Sequence, residues 1–262
     1  MKNARIYTTG LRGGLRRVAS LSEAMYGRKP FMETKRGVLF QADTMDFLRG
    51  LGSSSVDLIV GELPSAASQG EFAQSSYESI FYEFQRVLKS DGTVLIKAPM
   101  KDGADLIKAS AGIVPFIYEY IWTLPDPSCW INRTFHKTKS VFANCLRCSR
   151  GQIGPERIHE IIFVFSLGKI KPCILGCLSN KPEASSSVLK ISSARGLFSR
   201  LIGMFTGPGA TIICPWIGSG AAAYAAEETN LTWQAASPDR QILSQIRTII
   251  RQTQKGEFKD VQ

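Results

Sequence analysis

Two short stretches of the 262-residue chain carry residue types that could do chemistry. The first, Glu62-Leu63-Pro64-Ser65, follows directly on the apolar run Leu58-Ile59-Val60 and Gly61. A loop with a carboxylate at the end of a buried strand falls where an active site lies in an open α/β sheet. The bland alternative is a solvated acid at a strand end. The second, Cys214-Pro215-Trp216-Ile217-Gly218-Ser219-Gly220, is a strand end followed by a G-x-G turn and the Ala-rich stretch Ala221 to Glu227. Glycines there let bare backbone N–H groups and a helix N-terminus approach an anionic ligand. A G-x-G turn alone is weak evidence, since it serves dinucleotides, phosphates and S-adenosylmethionine, or simply turns the chain.

The elements that must position these stretches alternate in type. Gly37 to Phe40 reads as a strand and Thr44 to Leu51 as a short helix with Thr44 as N-cap. Leu58-Ile59-Val60 is a short apolar run, β-branched at two of three positions, suited to an inner parallel strand. Tyr77, Ile80, Phe84, Val87 and Leu88 recur at helical spacing, and Ser90-Asp91-Gly92 is expected to stop that helix before a strand at Thr93 to Ile96. Phe116 to Trp122 and Ile161 to Phe165 read as strands separated by a long irregular stretch. Leu197, Leu201, Ile202 and Phe205 share a helical face, Ala210 to Cys214 and Leu231 to Ala235 read as strands, and Pro238 to Gln252 as a last helix with Pro in its first turn. The alternation predicts an α/β fold with a largely parallel sheet and helices on both faces. In such sheets ligands sit at the C-terminal strand ends, where both stretches fall.

Composition narrows the partners. The chain carries 32 Lys and Arg against 22 Asp and Glu, a net charge of +10. That excess favours a polyanion, and nucleic acid before a membrane surface. Residues 1–36 read as a basic arm, with nine cations against Glu23 and Glu33. An Arg-rich start also suits an organelle transit peptide, although GLRGG would interrupt an amphipathic helix. No secretory-type apolar core is seen, so a reducing intracellular compartment, cytoplasm or nucleus, is expected. A second basic segment at 124–158 holds Arg133, Lys137, Lys139, Arg147 and Arg150 interleaved with Trp130, Phe135 and Phe142, a pattern that suits phosphates beside exposed bases, or else a solvated loop over apolar packing. Cys145, Cys148, Cys173 and Cys177 offer either a wide-set zinc site or, more simply, buried free thiols. His136 falls in the basic loop, and His159, which opens a strand, reads as structural.

Taken in order, Asp43, VDLIVGELPS, YESIFYEFQRVL with SDGTVLI, HEIIFVFSLGK and TGPGATIICPWIGSGAAAYAAEE resemble the amino-directed (N6-adenine and N4-cytosine) DNA methyltransferases, in the permuted group whose catalytic loop precedes the cofactor loop. The resemblance implies a Rossmann-like S-adenosylmethionine-dependent methyltransferase domain over 37–262, with a short insert at 169–192 where the family has its target-recognition segment. It places Glu62, Leu63, Pro64 and Ser65 on the family's Asp-Pro-Pro-Tyr loop, which holds a flipped base by hydrogen bonds and stacking. It places Asp43, Trp216, Gly218, Ser219, Gly220 and Ala236 at the cofactor. The departures all remove function. Glu62 carries its acceptor one methylene too far, Leu63 loses a stiffening ring and Ser65 loses the stacking face. Cys214 and Ala236 stand where the family has acids, with Asp239 the nearest acid to the latter, and Ser193-Ala194 replaces a Lys-Pro pair. The resemblance with these departures implies weak or absent S-adenosylmethionine binding. It also implies a nucleic-acid-binding, non-catalytic protein, a partner for an active methyltransferase. A divergent active enzyme and a DNA-binding regulator without such a partner are the alternatives.

Overall fold

A computed structural model describes residues 29–63, 77–123, 159–170, 186–229 and 231–254. Nine strands of these residues form one sheet, β1 Met32–Glu33, β2 Gly37–Gln41, β3 Val56–Glu62, β4 Leu88–Ala98, β5 Phe116–Thr123, β6 His159–Ser166, β7 Val188–Leu189, β8 Thr211–Cys214 and β9 Thr232–Ser237. Their order across the sheet is β1-β2-β9-β8-β3-β4-β6-β5-β7. The central strands β2, β9, β8, β3 and β4 run parallel, and β6 is antiparallel to both β4 and β5. The helices are α1 Thr44–Arg49, α2 Tyr77–Val87, α3 Met100–Ser110, α4 Ala194–Phe205, α5 Ala221–Glu228 and α6 Arg240–Gln254.

Side chains alternate across a strand, and the sheet uses both faces. Leu58, Val60, Leu95, Ile162 and Ile212 point to a core closed by Leu197 and Leu201 of α4, the alanines of α5, and Leu243 and Ile246 of α6. Ile59, Val94, Ile96, Phe163 and Ile213 point to the other, closed by Phe47 of α1, Ile80, Phe81 and Phe84 of α2, and Leu106 of α3. Burial on both faces accounts for the uninterrupted apolar runs of β3 and β4. Among the described residues, no helix is long and apolar enough to cross a membrane.

Several local expectations are corrected. Asp43, not Thr44, caps α1, its side chain accepting from the Asp46 N–H at 2.8 Å. Helix α2 stops at Val87, and β4 starts at Leu88 and carries Ser90-Asp91-Gly92 within it, with a register irregularity against β3. Pro238 precedes α6 and lies outside its first turn. Asp239 caps that helix, accepting from the N–H groups of Gln241 and Ile242. Helix α3 is an addition to the sequence expectation. The ends of two segments expected outside the core also join the sheet, β1 from the N-terminal arm and β7 from the insert, which pairs with β5.

Candidate functional site

Parallel strands in register put equivalent side chains on one face, and here that rule assembles a charged cluster at the C-terminal edge of the sheet. Glu62 and Lys97 are direct register partners on β3 and β4. Lys97 pairs across to Ile162, so Glu160, two residues earlier on β6, shares its face. Lys97 Nζ lies 2.9 Å from Glu62 Oε2 and 2.8 Å from Glu160 Oε2, with the Trp122 ring centroid 5.7 Å away. Glu62 is only 6% exposed, so it is not the solvated strand-end acid that its position allows.

The other Glu62 oxygen reaches the glycine turn. Ser219 donates its backbone N–H at 3.1 Å and its hydroxyl at 2.6 Å to Glu62 Oε1. The main chains are also joined, since the Glu62 N–H donates to the Trp216 carbonyl at 2.9 Å and the Leu63 N–H to the Lys97 carbonyl at 2.9 Å. Gly218 and Gly220 hold left-handed φ values of 49° and 79°, so the turn keeps the backbone form that glycine makes cheap. A Cβ on Gly218 would overlap the Glu62 side chain. The two stretches predicted to meet therefore meet in van der Waals contact.

Electrostatics follow from this enclosure. Burial favours a neutral Lys97 amine, but Glu62 and Glu160 outweigh it and hold its pKa above the ordinary value. Burial, with a smaller contribution from the Glu62 charge, pushes the Cys214 thiol and the Tyr224 hydroxyl up. Cys214 is a buried thiol at the end of β8, with no ionised form to offer a ligand at neutral pH.

The remaining predicted positions are divided. Trp216 is buried, its ring beneath Gly61 and edge-on to Phe84 with centroids 5.7 Å apart. Asp43 spends a side-chain oxygen on the α1 cap, while Thr44 beside it donates to the Pro215 carbonyl at 3.3 Å. Ala236 is buried near the end of β9 opposite Phe40. Ser193 caps α4, accepting from the Gly196 N–H. Leu63 packs against the α1–α3 core. His159 opens β6 as an exposed residue. Pro64, Ser65, His136, the basic residues Arg133, Lys137, Lys139, Arg147 and Arg150, and Cys145, Cys148, Cys173 and Cys177 lie outside the described residues. Among the described residues no His, Cys, Asp and Glu group could hold a metal.

Solved DNA methyltransferases share this fold. The cytosine-N4-specific PvuII DNA methyltransferase matches with a TM-score of 0.64 at 17% identity, over 88% of this chain and 97% of that one. TTHA0409 of Thermus thermophilus, assigned as a DNA modification methylase, matches at 0.59 and 16% identity, over 81% of this chain and 93% of that one. The M1.HpyAVI complex with S-adenosylmethionine matches at 0.56 and 14%, over 80% and 97%. The chain has the Rossmann-like fold of S-adenosylmethionine-dependent methyltransferases. No protein-family model matches the sequence, and no curated relative matches it.

S-adenosylmethionine is the cofactor this fold implies, and three donors of the turn are engaged within the protein. An anionic cofactor group needs free donors at the helix N-terminus. Here the Ser219 N–H goes to Glu62, the Gly220 N–H to the Ile217 carbonyl at 2.8 Å and the Ala221 N–H to Ser219 Oγ at 3.3 Å. Lys97, Glu160 and Tyr224 were not among the predicted site residues. A lone Lys in TVLIKAP and a lone Glu in HEIIF were the available signal, a charge of each sign inside an apolar run.

Proposed function

We propose that this chain is a nucleic-acid-binding protein of the amino-directed DNA methyltransferase lineage, in the permuted order, that has lost its own methyl transfer and serves as the non-catalytic partner of an active methyltransferase. One observation carries the reading, namely that both carboxylate oxygens of Glu62 are engaged inside the fold. A base-holding acceptor must face the ligand. Freeing Glu62 means giving up charge-assisted hydrogen bonds worth roughly 1.5–3 kcal/mol each. The alanine at 236 and the buried thiol of Cys214 add nothing that would grip a cofactor. S-adenosylmethionine binding is accordingly weak or absent.

Support for nucleic acid comes from the +10 charge, from Arg133, Lys137, Lys139, Arg147 and Arg150, and from the DNA-methylase names of the structural neighbours. The retained left-handed glycines favour a second reading, a divergent active enzyme that uses Glu62 as acceptor. The two separate in one assay, in which the protein is incubated with labelled S-adenosylmethionine and DNA while binding is followed in parallel. Binding without methyl transfer is expected. Transfer that disappears in a folded Glu62→Ala variant would establish the active enzyme instead.

A further inference from the structure

We propose that Glu62 is a built-in occupant of a carboxylate site, and that the chain keeps this site shut to free ligands by filling it with its own side chain. The walls of the site are the Ser219 turn, the N-terminus of α5 and Lys97. Each supplies what a carboxylate needs. Ser219 gives an N–H and a hydroxyl to one oxygen, Lys97 gives an ammonium to the other, and the partial positive charge at the start of α5 favours the anion. A further donor stands beside the turn. The Tyr224 hydroxyl is buried, makes no hydrogen bond among the described residues, and lies 2.8 Å from where a Cβ on Gly220 would stand. Buried polar atoms are rarely left unsatisfied, so this hydroxyl is an unused donor at the start of α5 that an occupant other than Glu62 could engage.

The ligand class is a monocarboxylate, free or as the carboxylate of an amino-acid-like cofactor. The carboxylate site rests on the described geometry alone, and only its link to S-adenosylmethionine rests on the reading above. Truncating Glu62→Ala removes the atoms of an acetate ion and leaves Ser219 and Lys97 facing the gap. Thermal unfolding in sodium acetate and in sodium chloride at equal ionic strength reads the result. Acetate should raise Tm of Glu62→Ala saturably, by on the order of 3 °C, and leave the wild type unmoved. The rise should shrink in Glu62→Ala/Lys97→Met. If Glu62→Ala is unfolded in chloride, the readout becomes refolding on addition of acetate. No acetate-specific change in Glu62→Ala, or an equal change in the wild type, overturns the proposal. A titration with S-adenosylhomocysteine then separates the two ligand sources. A gain of tenfold or more over wild type supports a cofactor-like occupant, whereas acetate rescue without that gain supports a site for free carboxylates only.

Discussion

Ser219 donates twice to one oxygen of Glu62, although 157 residues separate them. The bond ties the end of β3 to the turn after β8, and Lys97 completes the pair from β4. Removing one partner of a mostly buried ion pair leaves the other uncompensated, so Lys97→Met should destabilise the fold by about 3 kcal/mol. The double variant Glu62→Gln/Lys97→Met should recover part of that loss, since Glu160 also loses Lys97. Urea unfolding of the four proteins gives the coupling directly, and additive losses would show that the pair is not coupled.

The pH dependence has a fixed sign. Lys97 is raised above its ordinary 10.5, so the unfolded chain releases its proton first as pH rises. Its contribution is fully present below about pH 10 and is lost as pH climbs through the higher folded value. The stability difference between wild type and Lys97→Met should therefore stay level from neutral pH to about pH 9 and narrow in stronger base. A difference that grew with alkalinity would contradict the ion-pair geometry.

Gly218 should not tolerate a side chain. Its φ of 49° costs a non-glycine residue roughly 1–2 kcal/mol, and an added Cβ would overlap Glu62 Cβ. Gly218→Ala should thus cost about 2–4 kcal/mol. Because the nearest clash is with Cβ, Glu62→Ala should not relieve it and Glu62→Gly should in part. Equal relief by both would mean that the carboxylate end, not the strand backbone, sets the contact.

How much of this was legible in the sequence depends on the range of the forces involved. The inner strands β3, β4, β6 and β8 were readable because burial on both faces writes apolar runs into the sequence. Helix α3 was not, since Gly103 weakens its helical signal. The reason lies in tertiary packing, because a Cβ on Gly103 would overlap the Phe163 ring. The α1 cap moved by one residue, to Asp43, and the start of α6 by two, from Pro238 to Arg240, within the usual uncertainty of helix ends. At the site, the closeness of Glu62 and Gly218 followed from two parallel strand ends. The pairing of Glu62 with Lys97 needed the β3–β4 register, which no local pattern fixes. Without Lys97, Glu62 reads as a solvated acid.

Nucleic-acid binding should be driven by phosphates. Replacing Arg133, Lys137, Lys139, Arg147 and Arg150 together should flatten the slope of log affinity against log salt by about 0.7–0.9 for each phosphate no longer neutralised. Fluorescence anisotropy with a short duplex and a single strand at several salt concentrations checks this. An unchanged slope would move the binding face to the basic residues of the N-terminal arm.

Titration of the wild-type protein with S-adenosylmethionine by calorimetry tests the central claim most directly, because the claim is that Glu62 already holds the donors an incoming cofactor would need. The account predicts no binding heat with cofactor at about 1 mM, a concentration that detects an affinity near −4 kcal/mol. Stoichiometric binding at roughly 10 μM or tighter, with Glu62 and Lys97 unaltered, would contradict it.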